Sequence, residues 1–308
     1  MNNAPLIHFH PAVAAALQAG RPVVALESTL IAHGLPRPLN LQTARAAEAA
    51  VREEGAVPAT IAVCRGRPTI GLTDDQLEEL ARGDEVLKAS RRDLAYAVAK
   101  GLTAGTTVAA TMFLAHQAGI SILATGGIGG AHRGTDHSWD ISADLLELSR
   151  TPVAVVCAGA KSILDVSRTL EVLETQGVPV VGYGTDEFPA FYLVSSGERV
   201  SARVDSPEQA ADLLCVHWQL GGAGVVLAQP LVTDVAMEEG EFETALKQAQ
   251  RQAADASVRG KELTPFLLTR LAEVTEGKTL RANHVLVIAN ARLAARVARV
   301  FPNSPPRN

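Results

Sequence analysis

Residues 155–165, VVCAGAKSILD, set a single lysine behind three small residues. Val155 to Cys157 read as a buried strand. Ala158, Gly159 and Ala160 carry nothing that would keep a ligand or a backbone away from Lys161. A lysine is a nucleophile only when neutral, and its ordinary pKa of about 10.4 falls by up to about 3–5 units when it is desolvated or set beside another cation. The pattern predicts a helix beginning near Ser162, whose positive end would favour the neutral amine. Schiff-base chemistry on a sugar carbonyl is the functional reading. The ordinary alternative is a solvated lysine in a strand-to-helix loop.

Glu27 closes the apolar run 22–26 and precedes Ser28-Thr29. A carboxyl at a strand end is a candidate general acid or base, or else a solvated residue near a helix cap. His33 follows in the same stretch and reads as a satisfied loop histidine. Lys88, Arg91 and Arg92 form either a basic rim or a site for phosphate or carbonyl groups. The stretch 124–145, ATGGIGGAHRGTDHSWDISADL, is the richest. A strand ends at Thr125, and four glycines follow whose amides could cradle a phosphate. GGIGG lacks the spacing and helix of a dinucleotide fingerprint. Beyond it lie His132, Arg133, Asp136, His137, Asp140 and Asp144. Their spacing matches neither a zinc-protease helix nor a calcium loop, but oxygen ligands here suit a water-rich Mg²⁺ or Mn²⁺. Asp144 could instead cap the helix that follows. Asn283 and Asn290 are polar residues on an apolar helix, each a ligand contact or a cap.

The elements that must hold these residues alternate between short apolar runs and amphipathic helices. Strands are expected at 22–26, 59–64, 68–72, 120–125, 153–158, 179–183 and 224–229. Cys64-Arg65-Gly66-Arg67 predicts a hairpin, so the sheet is expected to be mixed though largely parallel. Asn40, Thr73, Ser90 and Ser206 are expected helix caps. From about Glu241 the chain is helical, with 264–268 facing the core. These features predict one α/β domain over residues 1–308, a three-layer α/β/α sandwich with a helical C-terminal section.

The chain has 308 residues, 47% hydrophobic and 20% charged, with a net charge of −5. No basic patch suits a nucleic-acid polymer, and no apolar stretch of membrane-spanning length occurs. Cys64, Cys157 and Cys215 are far apart in apolar settings and read as core thiols. The cytoplasm is the expected compartment.

Taken together, VVALESTLIAHG, AVPATIAV, SRRDL, GTTVAAT, LATGGIGGAHRG, WDISADL, VVCAGAKSILD, GVPVVGY and GKELTPFLL resemble the pseudouridine-5′-phosphate glycosidase family, also called the indigoidine synthase A family. The resemblance runs from about Pro22 to Arg296. It implies reversible conversion of pseudouridine 5′-phosphate and water into uracil and ribose 5-phosphate, with Mn²⁺ as cofactor and a homotrimer as the assembly. By motif, Lys161 matches the covalent lysine and Glu27 the proton donor. Lys88 and Val108 match substrate contacts, and Asp140 the metal ligand. Ser142, Ala143 and Asp144 match a further substrate-binding run, with Asp144 catalytic. Thr125 and His132 fall where phosphate contacts are expected, and Asn283 near the base. The chain departs from the family pattern at Leu193–Arg203 and in its arginine-rich last helix. A Schiff-base sugar-phosphate aldolase and a non-catalytic sugar-phosphate binding protein are the competing readings. A kinase is disfavoured by the lack of an ATP-phosphate motif.

Overall fold

All seven strands expected from the sequence form, each within two residues of its expected bounds. The computed structural model describes residues 6–83, 85–133, 139–258 and 263–302. Its strands are β1 (His8–Phe9), β2 (Val23–Leu26), β3 (Val57–Cys64), β4 (Arg67–Ile70), β5 (Leu87–Ala89), β6 (Ala104–Thr106) and β7 (Ile122–Ala124). They continue as β8 (Ala131–His132), β9 (Ala154–Cys157), β10 (Leu164–Asp165), β11 (Val180–Tyr183), β12 (Ala202–Val204) and β13 (Val225–Ala228). The helices are α1 (Pro11–Gln18), α2 (Leu39–Glu53), α3 (Asp74–Arg82), α4 (Leu94–Ala99), α5 (Val108–Gln117) and α6 (Ala143–Leu148). They end with α7 (Val166–Thr175), α8 (Pro207–Gln219), α9 (Glu239–Asp255), α10 (Leu263–Val274) and α11 (Lys278–Val300).

The main sheet runs β1-β4-β3-β2-β7-β9-β13-β11-β12. From β3 to β12 every neighbour is parallel. β4 and β6 lie antiparallel to β3, so the sheet is mixed as expected. The β3–β4 hairpin turns on Arg65 and Gly66, at φ 49° and 77°, the left-handed pair that a two-residue turn needs. β2, β9 and β13 are buried along their whole length, because helices cover both faces. On one face α11 lies against β2, β7 and β9 with α2 and α8 beside it; α5, packed with α6, covers β2, β3 and β7. Ala291, Ala294, Ala295 and Ala298 of α11 are all buried; such small side chains let a helix approach a sheet closely.

Thr73 and Gln76 form the expected reciprocal cap of α3, and Ser206 caps α8 ahead of Pro207. Asn40 does not cap α2, which begins at Leu39. Its amide donates to the carbonyls of Ile31 and Ala81, at 2.8 and 2.9 Å, and so ties the loop after β2 to α3. No described helix is long and apolar enough to cross a membrane.

Candidate active site

Glu27 is the residue after β2, Thr125 the residue after β7, and the Lys161 loop follows β9. These are neighbouring parallel strands, and their C-terminal ends are where sites form in such sheets. Glu27, Lys161, Lys88 from β5, His33 and Asn283 from α11 line one cleft. Thr264, Pro265 and Leu268 of α10 line it too, while Leu267 is buried in the core with Phe266 and Leu268 packed against it, so the segment faces the core as expected and also borders the site.

Lys161 is half-buried but does not stand at a helix start. The chain turns at Ser162, forms β10, and enters α7 only at Val166 with Asp165 as its cap. Ser162 does not cap a helix: its hydroxyl donates to the carbonyl of Ala190 at 2.6 Å. The dipole expected of a helix starting at Ser162 is therefore not what sets Lys161. What holds the lysine is a braced loop. Ala158 donates its N–H to Gly126 and accepts from the N–H of Phe191, both at 2.9 Å, and the Lys161 N–H donates to Ile128. Gly159 sits at φ +85°, and a Cβ there would collide with the Pro189 carbonyl. Gly159→Ala is expected to displace the loop, lowering the melting temperature and cutting activity by about 10²-fold, as misplaced catalytic groups do. Thermal melts and steady-state rates check both.

Burial raises the Glu27 pKa above its ordinary 4.5, against the opposing charge of Lys161, the hydrogen bond from Thr125 and the charge of Lys88, while Asp144 adds to the rise. The Thr125 hydroxyl donates to Glu27 Oε1 at 2.5 Å. A carboxyl whose pKa is raised by burial beside two amines is better suited to donate a proton. The Thr125 hydroxyl is thus engaged with the acid.

Much of the glycine-rich loop is committed to packing. The N–H of Ile128 donates to Gly159, that of Gly129 to Asp144 Oδ2 at 2.9 Å, and that of Ala131 to Thr169 at 3.0 Å. Side chains fill the space a Cβ would need at each glycine: Phe191 at Gly127, Ser142 at Gly129 and Thr169 at Gly130. Only Gly126 and Gly127 border the cleft. Asp144 does not cap α6, a task taken by Ser142, whose hydroxyl accepts from the Asp144 N–H. The Asp144 carboxylate accepts from Gly129 and from Ala109 at 2.9 Å, pinning the glycine loop to the start of α5. Val108, the first residue of α5, is buried beside this junction, whereas Ala143 is exposed.

His132 is half-buried. Burial lowers its pKa, Asp140 opposes, and the charges of Lys161 and Lys88 lower it further, which favours the neutral imidazole. The N–H of His132 donates to the Asp140 carbonyl at 3.0 Å. Among the described residues no group of three or more His, Cys, Asp or Glu side chains is placed to hold a metal ion. Half-buried Asp140 fits a hard divalent ion that keeps most of its waters. Asp136 and His137 lie outside the described residues. Burial pushes Cys157 up to about 12 and Cys64 up to about 11 and also raises Cys215, which disfavours the reactive thiolates.

A family model for indigoidine synthase A-like proteins matches residues 12–300. The chain belongs to that family. Among relatives in the indigoidine synthase A-like family, pseudouridine-5′-phosphate glycosidase 2 of Rhizobium johnstonii is 52% identical over 298 residues, 96% of each chain. Pseudouridine-5′-phosphate glycosidase of Caldanaerobacter subterraneus subsp. tengcongensis is 53% identical over 287 residues, 93% of this chain and 94% of its own. The crystal structure of the prealnumycin C-glycosynthase AlnA with ribulose 5-phosphate superposes with a TM-score of 0.88 at 39% identity, over 96% of each chain. An indigoidine synthase A-like protein from Thermotoga maritima does so with 0.88 at 35% identity, over 97% of this chain and 98% of its own.

Within this family fold, sequence reasoning passed over Phe191. Its ring lines the cleft against Gly126 and Gly127, and its backbone is held at φ +64°, which costs about 1–3 kcal/mol for a residue with a side chain. A conspicuous Phe-Pro-Ala-Phe-Tyr run at 188–192 was the available signal.

Proposed function

We propose that the protein cleaves the C-glycosidic bond of pseudouridine 5′-phosphate, giving uracil and ribose 5-phosphate, through a covalent imine on Lys161. The observation that carries this reading is a buried Glu27, favoured in its protonated form, sharing a cleft with Lys161. The names of the relatives and the ribulose 5-phosphate held by one of them support a sugar-phosphate substrate.

Pseudouridine joins ribose C1′ to uracil C5. Expelling a carbanion at C5 by ring-oxygen push alone is harder than expelling an oxygen or nitrogen leaving group. An amine is a better electron source. Neutral Lys161 attacks C1′, the C1′–O4′ bond breaks, and Glu27 gives its proton to O4′. The amine nitrogen then forms the C=N bond as the C1′–C5 bond breaks. C5 takes up a proton, balancing the one shed by the attacking amine. Water hydrolyses the imine and frees ribose 5-phosphate and Lys161.

Lys88 is the cation for the phosphate, with neutral His132 beside it. Asn283 is 3% exposed, and its Oδ1 has no partner among the described residues, so it is suited to accept an N–H from the base. By the family resemblance Ser142, Ala143 and Val108 would contact the substrate, although they stand outside the cleft lining around Lys161, and Asp144 acts by holding Gly129 and α5 in place. Mn²⁺ on Asp140 would supply positive charge beside the substrate. A homotrimer in the cytoplasm completes the reading.

The test is a product assay. Protein, Mn²⁺ and pseudouridine 5′-phosphate are mixed, and products are separated by chromatography. Equal amounts of uracil and ribose 5-phosphate are expected. No uracil, with retro-aldol cleavage of sugar phosphates instead, would overturn the reading.

A further inference from the structure

We propose that Asn290 is a positioning residue that holds the proton donor and the lysine loop in one register. It sits on α11, 1% exposed, far in sequence from the two carbonyls it holds. Its amide donates to the carbonyl of Thr125 at 2.9 Å and to that of Gly126 at 3.3 Å.

Each carbonyl leads to one half of the chemistry. Thr125 is the residue whose hydroxyl donates to Glu27. The Gly126 carbonyl also accepts the N–H of Ala158 at 2.9 Å, three residues before Lys161. One side chain therefore holds the end of β7 directly and, through Gly126, stands one hydrogen bond from the end of β9. The helix comes this close because residue 126 is glycine: a Cβ there would lie 3.2 and 3.3 Å from Leu286 and Val287 of α11. The chemistry also selects the residue type. Two adjacent carbonyls need two N–H groups on one short side chain; aspartate offers none, leucine none, and glutamine is a methylene too long. Without Asn290 the buried Thr125 carbonyl loses its donor and the Gly126 carbonyl keeps only the Ala158 N–H; the first would shift toward other partners, carrying Thr125 and the lysine loop with it.

This inference rests on the glycosidase reading, and its test separates the two. Wild-type protein, Asn290→Leu and Asn290→Asp are assayed with pseudouridine 5′-phosphate across pH, and each is treated with ribose 5-phosphate and borohydride. Uracil release by the wild type tests the reading. If the wild type traps sugar on Lys161 but releases no uracil, the reading fails, and the Asn290 comparison is made on adduct yield. If it does neither, both ideas fall.

The groups facing Glu27 are Thr125, Lys161, Lys88 and Asp144, with His33 in the same cleft. Burial raises Glu27 and the Thr125 hydrogen bond opposes it. Loosening that bond should move the alkaline limb of kcat upward by about one pH unit. It should also lower kcat by about tenfold or more, with KM changed little. Thr125→Val should move the same limb in the same direction, and the double variant Thr125→Val with Asn290→Leu should do less than the sum. A lowered melting temperature with unchanged kcat and limb would reduce Asn290 to a structural residue and overturn the proposal. If Asn290→Leu does not fold, Asn290→Ser, which keeps one donor at shorter reach, is judged by the same two outcomes.

Discussion

Lys161→Ala is expected to abolish uracil release, with kcat down on the order of 10⁴–10⁶-fold, the range seen when a nucleophile is deleted. The variant should fold, because the loop is held by backbone bonds from Ala158, Lys161 and Phe191 and not by the lysine side chain. Lys161→Arg sharpens the result. It keeps the positive charge in the cleft but cannot be deprotonated in a protein, so it should be as inactive as alanine. A purely electrostatic role would instead leave the arginine variant active. With ribose 5-phosphate and borohydride, peptide mass mapping should find the reduced sugar phosphate on Lys161 in the wild type and on no lysine in either variant. Turnover within tenfold of the wild type by Lys161→Ala would sink the covalent scheme.

The lysine was legible because Ala158-Gly159-Ala160 strips bulk from its neighbourhood, which is a local signal. Its setting was misread because Ser162 looks like a helix cap until Ala190, 28 residues on, claims its hydroxyl. The parallel strands were legible for a related reason: a strand buried on both faces must be apolar throughout. β5, β6 and β12, at three residues each, carry too little pattern to stand out. The glycine loop was found, and Gly126 and Gly127 border the cleft, but its packing role was not foreseen. Glycine marks a close approach without saying whether a ligand or the protein makes it, and here Phe191, Ser142 and Thr169 do. The links from Thr125 to Glu27 and from Asn290 to Thr125 span 98 and 165 residues. No local pattern reports such pairings, so the part of the site that tunes the acid was invisible until the fold brought β2, β7 and α11 together.

Glu27→Gln carries the second large effect, a loss of about 10²–10⁴-fold in kcat, the usual contribution of a placed general acid. Glutamine keeps the shape and still accepts the Thr125 hydroxyl, so the loss isolates the proton. The wild-type acid works only while protonated, so kcat/KM should fall as pH rises through its pKa. That limb should lie above the ordinary glutamate value of 4.5, since burial raises Glu27 over the opposition of Lys161, Thr125 and Lys88. It should vanish in the variant. Stability should move the other way. Because the folded protein binds this proton more tightly than the unfolded chain, the raised pKa contributes stability that is fully present below 4.5. That stability is lost as pH rises through the folded value, by about 1.4 kcal/mol for each unit of the rise. Glutamine never ionises, so Glu27→Gln should match the wild type in acid and melt higher than it at alkaline pH. A variant less stable than the wild type at every pH would mean that the charged carboxylate is the favoured buried form. The acid would then have to be sought elsewhere in the cleft.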